Sequence, residues 1–528
     1  MTEKNQNALN EDYDAKMTCK YEVQIKDGNL EIGNSRDVDQ EITNLRFLEQ
    51  FDIQTLKLYI ISDMSVKLRN YMLKELYVSN LRDQDEDEVP QRLNMQVDDL
   101  ELENLELLDL KYISLENNQL NNLAKFKKLH TLDVSRNNVG LTHIHSVKSL
   151  TKLTMVSCEL KNIDLISSLD NLEELDLSSN ILDNQQLSNI SKFKKLHTLD
   201  VSENDVDLTH IHNITSLTKL SMRICELKNI DLISSLVNLK ELDLSYNRDF
   251  DLRPLQQVRS LTKLSMRYCG LTNIDQIALQ INLEVLNLDY NQLLTINSVG
   301  SLVNLKQLDI SWNKKIDISP LKDLVGLIIL NLRSCALTQL SALKPLTNLQ
   351  DLDISHNSDI IITELQYLKN LKFLNLQYCN LVSIYVVRPL VNIEELNISS
   401  NTIVYLDANL NEMKKLKQFR AEQNRISDFK SIIKHPNYKN FDENCQKYLN
   451  KFNQTKPSKE EVRKAKQIIR IERQNLKLKE IPHKMHQTVF NNFKQEINAA
   501  LNNACQSQIQ FTANVVRLFQ FLNQFGFE

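Results

Sequence analysis

An eleven-residue pattern, apolar-x-x-apolar-x-apolar-x-x-Asn/Cys-x-apolar, recurs fifteen times between Leu110 and Ile426. It starts at Leu110, Leu129, Leu150, Leu172, Leu196, Leu217, Leu239, Leu261, Leu283, Leu305, Leu327, Leu349, Leu371, Ile393 and Leu416, mostly at a spacing of 22 residues. One such repeat cannot bury its own apolar face, so a fixed period of this length demands a stack of coils, a solenoid. In Leu283-Glu-Val-Leu286-Asn-Leu288-Asp-Tyr-Asn291, the alternation through Leu286 and Leu288 predicts a short strand with one buried face. Asn291 then ends that strand. A buried carboxamide offers two donors and an acceptor, enough to satisfy backbone groups of its own turn and of the next coil.

These residues resemble the leucine-rich repeat family. The 22-residue length is similar to the subclass found in Sds22-like regulators of a protein phosphatase and in bacterial internalins. The resemblance implies an α/β solenoid, a leucine-rich repeat horseshoe. Its parallel concave β-sheet would be backed by a convex side that is irregular, 3₁₀ or short-helical. For function it implies only a class, because such solenoids host many unrelated partners. A regulatory subunit of a protein phosphatase is one expectation among these.

The flanks divide by pattern. Residues 1–48 read as acidic and partly disordered, and residues 1–100 carry 21 acidic against 12 basic side chains. Residues 49–109 read as irregular N-terminal repeats that cap the solenoid, with degenerate copies beginning at Ile53, Leu73 and Val97. Residues 110–436 are the regular solenoid. Residues 437–528 read as a helical extension: Ser458-Lys-Glu-Glu461 forms a capping box, and Phe490, Phe493 and Ile497 share a helical stripe. The stretch 451–480 is basic, ten against four, and would bind acidic polymers or membrane surfaces only with steep salt dependence.

Five of the eight cysteines (Cys158, Cys225, Cys269, Cys335, Cys379) occupy the ladder position held elsewhere by Asn, never in adjacent repeats. Two coils separate the nearest pairs by about 10 Å, beyond the reach of a disulfide. Cys19, Cys445 and Cys505 are isolated and read as reduced thiols. Met1–Lys20 has no signal-like apolar run and no stretch is long enough to cross a bilayer, which predicts the cytoplasm or nucleus. No phosphate loop, His-Glu-x-x-His pair or Cys-x-x-Cys pair is present, so neither enzymatic chemistry, nor a cofactor, nor a metal is expected. The His143/His145 and His210/His212 pairs lack a further ligand at a known spacing.

What remains is surface. Positions 2, 3, 5, 7 and 8 of the pattern are expected on the concave sheet. Position 8 begins Asn117, Arg136 and Ser157, then carries Tyr246, Tyr268, Tyr290 and the only Trp, Trp312, in succession, with His356 and Tyr378 beyond. Five of the fifteen are Tyr or Trp, where a chain with 6% aromatics predicts about one. Position 7 adds Arg223, Arg267 and Arg333, position 5 adds Asp243, Asp309 and Asp353, and positions 2 and 3 add Val285, Ile328, Ile329 and Phe373. Tyr, Trp and Arg dominate binding hot spots because each desolvates large area and keeps a polar end.

An internal duplication points the same way. Residues 125–180 and 192–247 match at 44 of 56 positions, and every apolar and ladder position of the pattern is kept. Six of the twelve differences, including Arg136/Glu203, Ser157/Ile224 and Ser179/Tyr246, fall on the expected concave face. The expectation is a non-enzymatic scaffold that binds a protein partner there, with aromatic anchors and with Arg and Asp side chains setting register. Nucleic acid and membrane are the less favoured ligands.

Overall fold

The computed structural model describes residues 21–26, 29–34, 54–60, 64–65, 68–69, 72–80, 93–94, 96–406, 410–426, 435–437 and 463. The chain divides into two compact units, Met1–Asn291 and Gln292–Glu528. The expected helical extension and its basic stretch, Cys19, Cys445 and Cys505 lie outside the described residues, apart from Asn437 and Arg463.

In the first unit a sheet begins with an antiparallel pair, Tyr21–Lys26 and Asn29–Asn34. The two residues between them are Asp27 and Gly28, a pair that favours tight hairpins. Asn29–Asn34 then pairs in parallel with Thr55–Ile60, which pairs with Glu75–Asn80, which pairs with Leu107–Asp109. From there three-residue strands follow once per repeat to Val285–Asn287, all parallel and in register. The second unit repeats the arrangement with six parallel strands, from Gln307–Asp309 to Gln418–Arg420. Residues 1–48 therefore contribute two strands to the sheet, although their composition reads as acidic coil.

Two sequence expectations change register. The first regular repeat begins at Leu105, not Leu110. Leu108 pairs opposite Leu132 in the ladder, which makes Leu105, Leu108 and Leu110 its first, fourth and sixth positions. Asn117, expected on the concave sheet, instead opens a 3₁₀ turn, Asn117–Leu120, closed by a capping box between Glu116 and Gln119. The copy beginning at Val97 is not a strand of the main sheet either. Val97–Asp99 is a 3₁₀ turn, and Leu100–Glu101 pairs with Leu68–Arg69 in a separate two-stranded sheet.

The outer segments of the repeats are short 3₁₀ turns such as Asp231–Ser235 and Ser319–Asp323, with one helical turn, Leu208–Ile211, capped by Asp207. Pro254 and Pro320 sit in the first turn of theirs, where an absent N–H breaks no bond. Within each unit, leucine and isoleucine from strand and outer segment meet in the interior. Leu286, Leu288, Leu374 and Leu376 are all fully buried.

The ladder residues tie successive coils. Asn247 donates from Nδ2 to the Met222 and Leu244 carbonyls at 2.7 and 2.9 Å. Its Oδ1 accepts from the backbone N–H groups of Cys225 and Leu227 at 3.0 and 3.1 Å. A cysteine replaces only half of this. The Cys225 thiol donates to the Val201 carbonyl at 3.4 Å but offers no comparable acceptor. Each ladder Cys is followed by an Asn that accepts its N–H, as Asn180, Asn247, Asn291, Asn357 and Asn401 do.

Candidate functional site

Only positions 3 to 5 of each repeat lie in the strand; positions 7 and 8, expected on the sheet, form the turn at its C-terminal end. The position-8 residue has a left-handed backbone in all fifteen repeats, with φ from 52° at Ile224 to 62° at Tyr246. For a non-glycine residue this conformation is strained by about 1–3 kcal/mol. It persists because the neighbouring coil holds it. The N–H of Tyr246 donates to the Arg267 carbonyl at 2.7 Å, and that of Trp312 to the Arg333 carbonyl at 2.8 Å.

The corrected register places Tyr112 at position 8 of the first repeat, with φ 56°, and the Arg136 guanidinium lies 5.8 Å from its ring centroid. Aromatic residues thus hold six of the fifteen positions. Sequence reasoning missed Tyr112 because Leu110-x-x-Ile113-x-Leu115 mimics the pattern five residues late.

In the first unit, Tyr246, Tyr268 and Tyr290 form a column with centroids 5.4 and 6.1 Å apart. Arginines are interleaved with the rings. Arg267 lies 5.7 Å from the Tyr246 centroid and 5.3 Å from that of Tyr290. Arg223 lies 5.7 Å from Tyr246, and Arg248, not singled out by the repeat pattern, lies 4.7 Å from Tyr268. Asp289 anchors Arg267 at 3.1 Å, and Asp243 lies 3.9 Å from Arg223. Each such cation–π contact adds about 0.5–1 kcal/mol at an exposed site. The rings remain accessible: Tyr268 keeps 40% of its surface.

In the second unit, the Arg333 guanidinium is 3.0 Å from His356 Nε2, and the His356 ring stacks on Tyr378 with centroids 4.6 Å apart. Burial, reinforced by the Arg333 charge and opposed by Asp353, holds His356 below the ordinary histidine value. Neutral Nε2 therefore accepts from the guanidinium. Tyr378 is 47% exposed. Phe373 sits in the strand Phe373–Asn375, half-buried, and Trp312 occupies the left-handed turn after Gln307–Asp309.

The three expected register-setting aspartates have work inside the fold. Asp243, Asp309 and Asp353 each accept the backbone N–H two residues on, at 2.8–2.9 Å, closing the turn. Asp309 and Asp353 also accept from the Asn331 and Asn375 carboxamides at 2.8 and 2.9 Å. Along the strands, Glu241 pairs with both Lys219 and Lys263, at 3.8 and 2.6 Å. The accessible aromatic and guanidinium surface is concentrated in the side chains of the turns.

The five ladder thiols are buried, and burial pushes their pKa values up, to about 11 for Cys158 and about 12 for the others. At neutral pH they are protonated donors, unsuited to nucleophilic or metal chemistry. Among the described residues no three His, Cys, Asp or Glu side chains are grouped to hold a metal. The outer histidines His145 and His212 instead bond the Leu141 and Leu208 carbonyls, each at 3.0 Å.

A family model described as leucine rich repeat matches residues 259–314. A solved leucine-rich repeat protein from Leptospira interrogans is 25% identical, with a TM-score of 0.55, over 67% of this chain and 95% of its own. The chain is a leucine-rich repeat protein. Other similar structures are an internalin from Listeria monocytogenes, 21% identical over 58% of this chain and 84% of its own, TM-score 0.44, and the functional domain of internalin J. The latter, from the same organism, is described as including a cysteine ladder; it is 23% identical over 64% of this chain and 72% of its own, TM-score 0.49. A comparison of the sequence with curated proteins finds no match. Leucine-rich repeat proteins are in general protein–protein interaction scaffolds and typically non-enzymatic. Among the described residues no helix is long and apolar enough to cross a membrane.

Proposed function

We propose that this leucine-rich repeat protein is a non-catalytic scaffold that binds a partner protein through the strand-ending turns of its repeats. Tyr246, Tyr268 and Tyr290 of the first unit, and Trp312, His356 and Tyr378 of the second, are the anchors. Arg223, Arg267 and Arg333 orient polar groups of the partner, with Asp243, Asp309, Asp353 and Phe373 framing them. The observation that carries this reading is the rigid alternation of exposed tyrosine rings and arginines on strained turns. Side chains so immobilised lose little entropy on binding, and their large faces stay open to solvent.

The competing role is stacking that serves stability alone, which contributes about 0.2–1 kcal/mol per pair. Affinity capture with the full chain separates the two. Tyr268→Ala with Tyr290→Ala, and separately Tyr378→Ala, should weaken recovery of the wild-type partners by roughly 30-fold, the effect of losing about 2 kcal/mol at a hot spot. Recovery equal to wild type in both variants, even with lowered melting temperatures, would leave the tyrosines as structural residues and overturn the proposal.

A further inference from the structure

A second candidate site lies at the opposite, N-terminal ends of the strands in the second unit. There the residue just before each repeat is commonly Asn, whose carboxamide spans to the preceding coil. Asn348 donates to the Val325 carbonyl at 2.9 Å, Asn370 to that of Thr347 at 2.8 Å, and Asn392 to that of Lys369 at 2.9 Å. Each acceptor is 23 residues earlier. Position 326 breaks the row with glycine, so the matching acceptor, the Val303 carbonyl, faces no carboxamide from this position. A Cβ placed on Gly326 would lie 3.6 Å from that carbonyl oxygen and 3.4 Å from the Lys306 ammonium, with φ in no forbidden region. The space an Asn fills in the neighbouring coils is thus left to the Lys306 ammonium.

This gap is part of a notch of about 460 Å³ lined by Lys306, Lys372 and Lys415 together with amides and Ile328, and by no carboxylate. The Lys415 ammonium is fixed by Asn392 Oδ1 at 2.9 Å. Outside the lining, Glu394 is bonded to Lys417, which holds its carboxyl below the usual range, with Lys372 and Lys415 adding to the effect. Burial pushes the Asp351 carboxyl up, against the pull of Lys372. Glu395 also acts on Lys417; four ammonium groups against three carboxylates leave the neighbourhood cationic by one charge.

We propose that this notch binds a phosphate group, free or as a monoester. Ammonium groups converging on a recess from several coils supply point charges for a dianion, and the absent side chain at 326 supplies the room. Monocarboxylates would engage fewer of the three lysines. The site is separate from the aromatic turns, which lie at the other ends of the strands.

The test uses the full-length protein with inorganic phosphate as the probe, against chloride at equal ionic strength, read by calorimetric titration and by melting temperature. Wild type should bind and be stabilised by phosphate beyond the chloride control. Gly326→Asn fills the notch and can restore the bond to the Val303 carbonyl; it should melt higher than wild type without ligand and lose the phosphate response. Lys306→Gln should fold normally and bind about fivefold more weakly, as for one removed exposed charge contact. A phosphoserine peptide and phosphatidic acid vesicles then distinguish a protein from a lipid source, each supporting the site only if Gly326→Asn abolishes the binding. No phosphate effect beyond chloride, or an undiminished effect in both variants, overturns the proposal.

Discussion

At the scale of single residues, the ladder shows how one atom decides what is allowed. Asn and Cys both donate to the carbonyl of the previous coil, but the Asn carboxamide oxygen accepts two N–H groups of that coil at 3.0–3.1 Å, where a thiol offers only a weak sulfur acceptor. Asn247→Cys would place cysteines in successive rungs and leave the buried N–H groups of Cys225 and Leu227 without that acceptor. Chemical denaturation should show a loss of about 2–4 kcal/mol, the cost of two unsatisfied buried donors. The reverse change, Cys269→Asn, creates no such orphan and should leave stability within about 1.5 kcal/mol of wild type. Equal losses in the two variants would mean that side-chain volume, and not the acceptor, governs the rung. The cysteine positions were legible from spacing alone, because hydrogen-bond inventory is a property of residue type. The geometry of the acceptor required the folded coils.

At the scale of the element, the strand is only three residues long and the turn after it carries the chemistry. An aspartate or asparagine at position 5 closes that turn by accepting the N–H of position 7. Where position 5 is serine, as at Ser265, the position-7 N–H of Arg267 goes instead to the Ser245 hydroxyl of the preceding coil, and in both cases the next residue is left-handed, held by its own N–H bond to the following coil; this is where the aromatic side chains stand. Alternation in the sequence suggested that positions 7 and 8 continue the pleat. The turn, closed by side-chain acceptors at position 5 or on the preceding coil, overrides that, since side-chain bonds to the backbone compete with extended structure.

His356 makes the turn of its own unit pH-dependent. Its folded-state pKa lies below the ordinary value, so the fold prefers neutral imidazole. The associated stability is complete above about pH 6.5, falls as pH drops below that value, and is lost once pH passes the lower folded-state pKa. His356→Phe keeps a ring against Tyr378 but removes the titration. Between about pH 7.5 and 5, wild type should therefore lose more melting temperature than His356→Phe. Parallel pH profiles for the two proteins would show that His356 does not titrate in this range.

At the scale of the molecule, each coil packs mainly on its neighbours, so damage should stay local. Leu374 is fully buried at the centre of the strand Phe373–Asn375. Leu374→Ala should cost about 2–5 kcal/mol in its own region. Hydrogen exchange should then show protection lost first in Asp351–Asp353 and Glu395–Asn397, the two strands paired to it, and fading over further coils of the second unit. Uniform loss across the six strands of that unit would indicate a single cooperative block.

The amino-acid sequence by itself determined the repeat, the solenoid class, the interior leucines and the ladder, because a fixed hydrophobic period admits no other way to bury its face. It also picked out the aromatic positions from Tyr246 to Tyr378, since repeat register assigns equivalent side chains to equivalent places. Tertiary structure alone decided the rest. Strand pairing moved the first repeat from Leu110 to Leu105 and brought Tyr112 into the set, because apolar spacing is degenerate where two frames overlap and only backbone pairing distinguishes them. Coil-to-coil hydrogen bonds put positions 7 and 8 in a turn. The notch at Gly326 depends on what its neighbours' side chains reach across to, and the linear pattern carries no record of that reach.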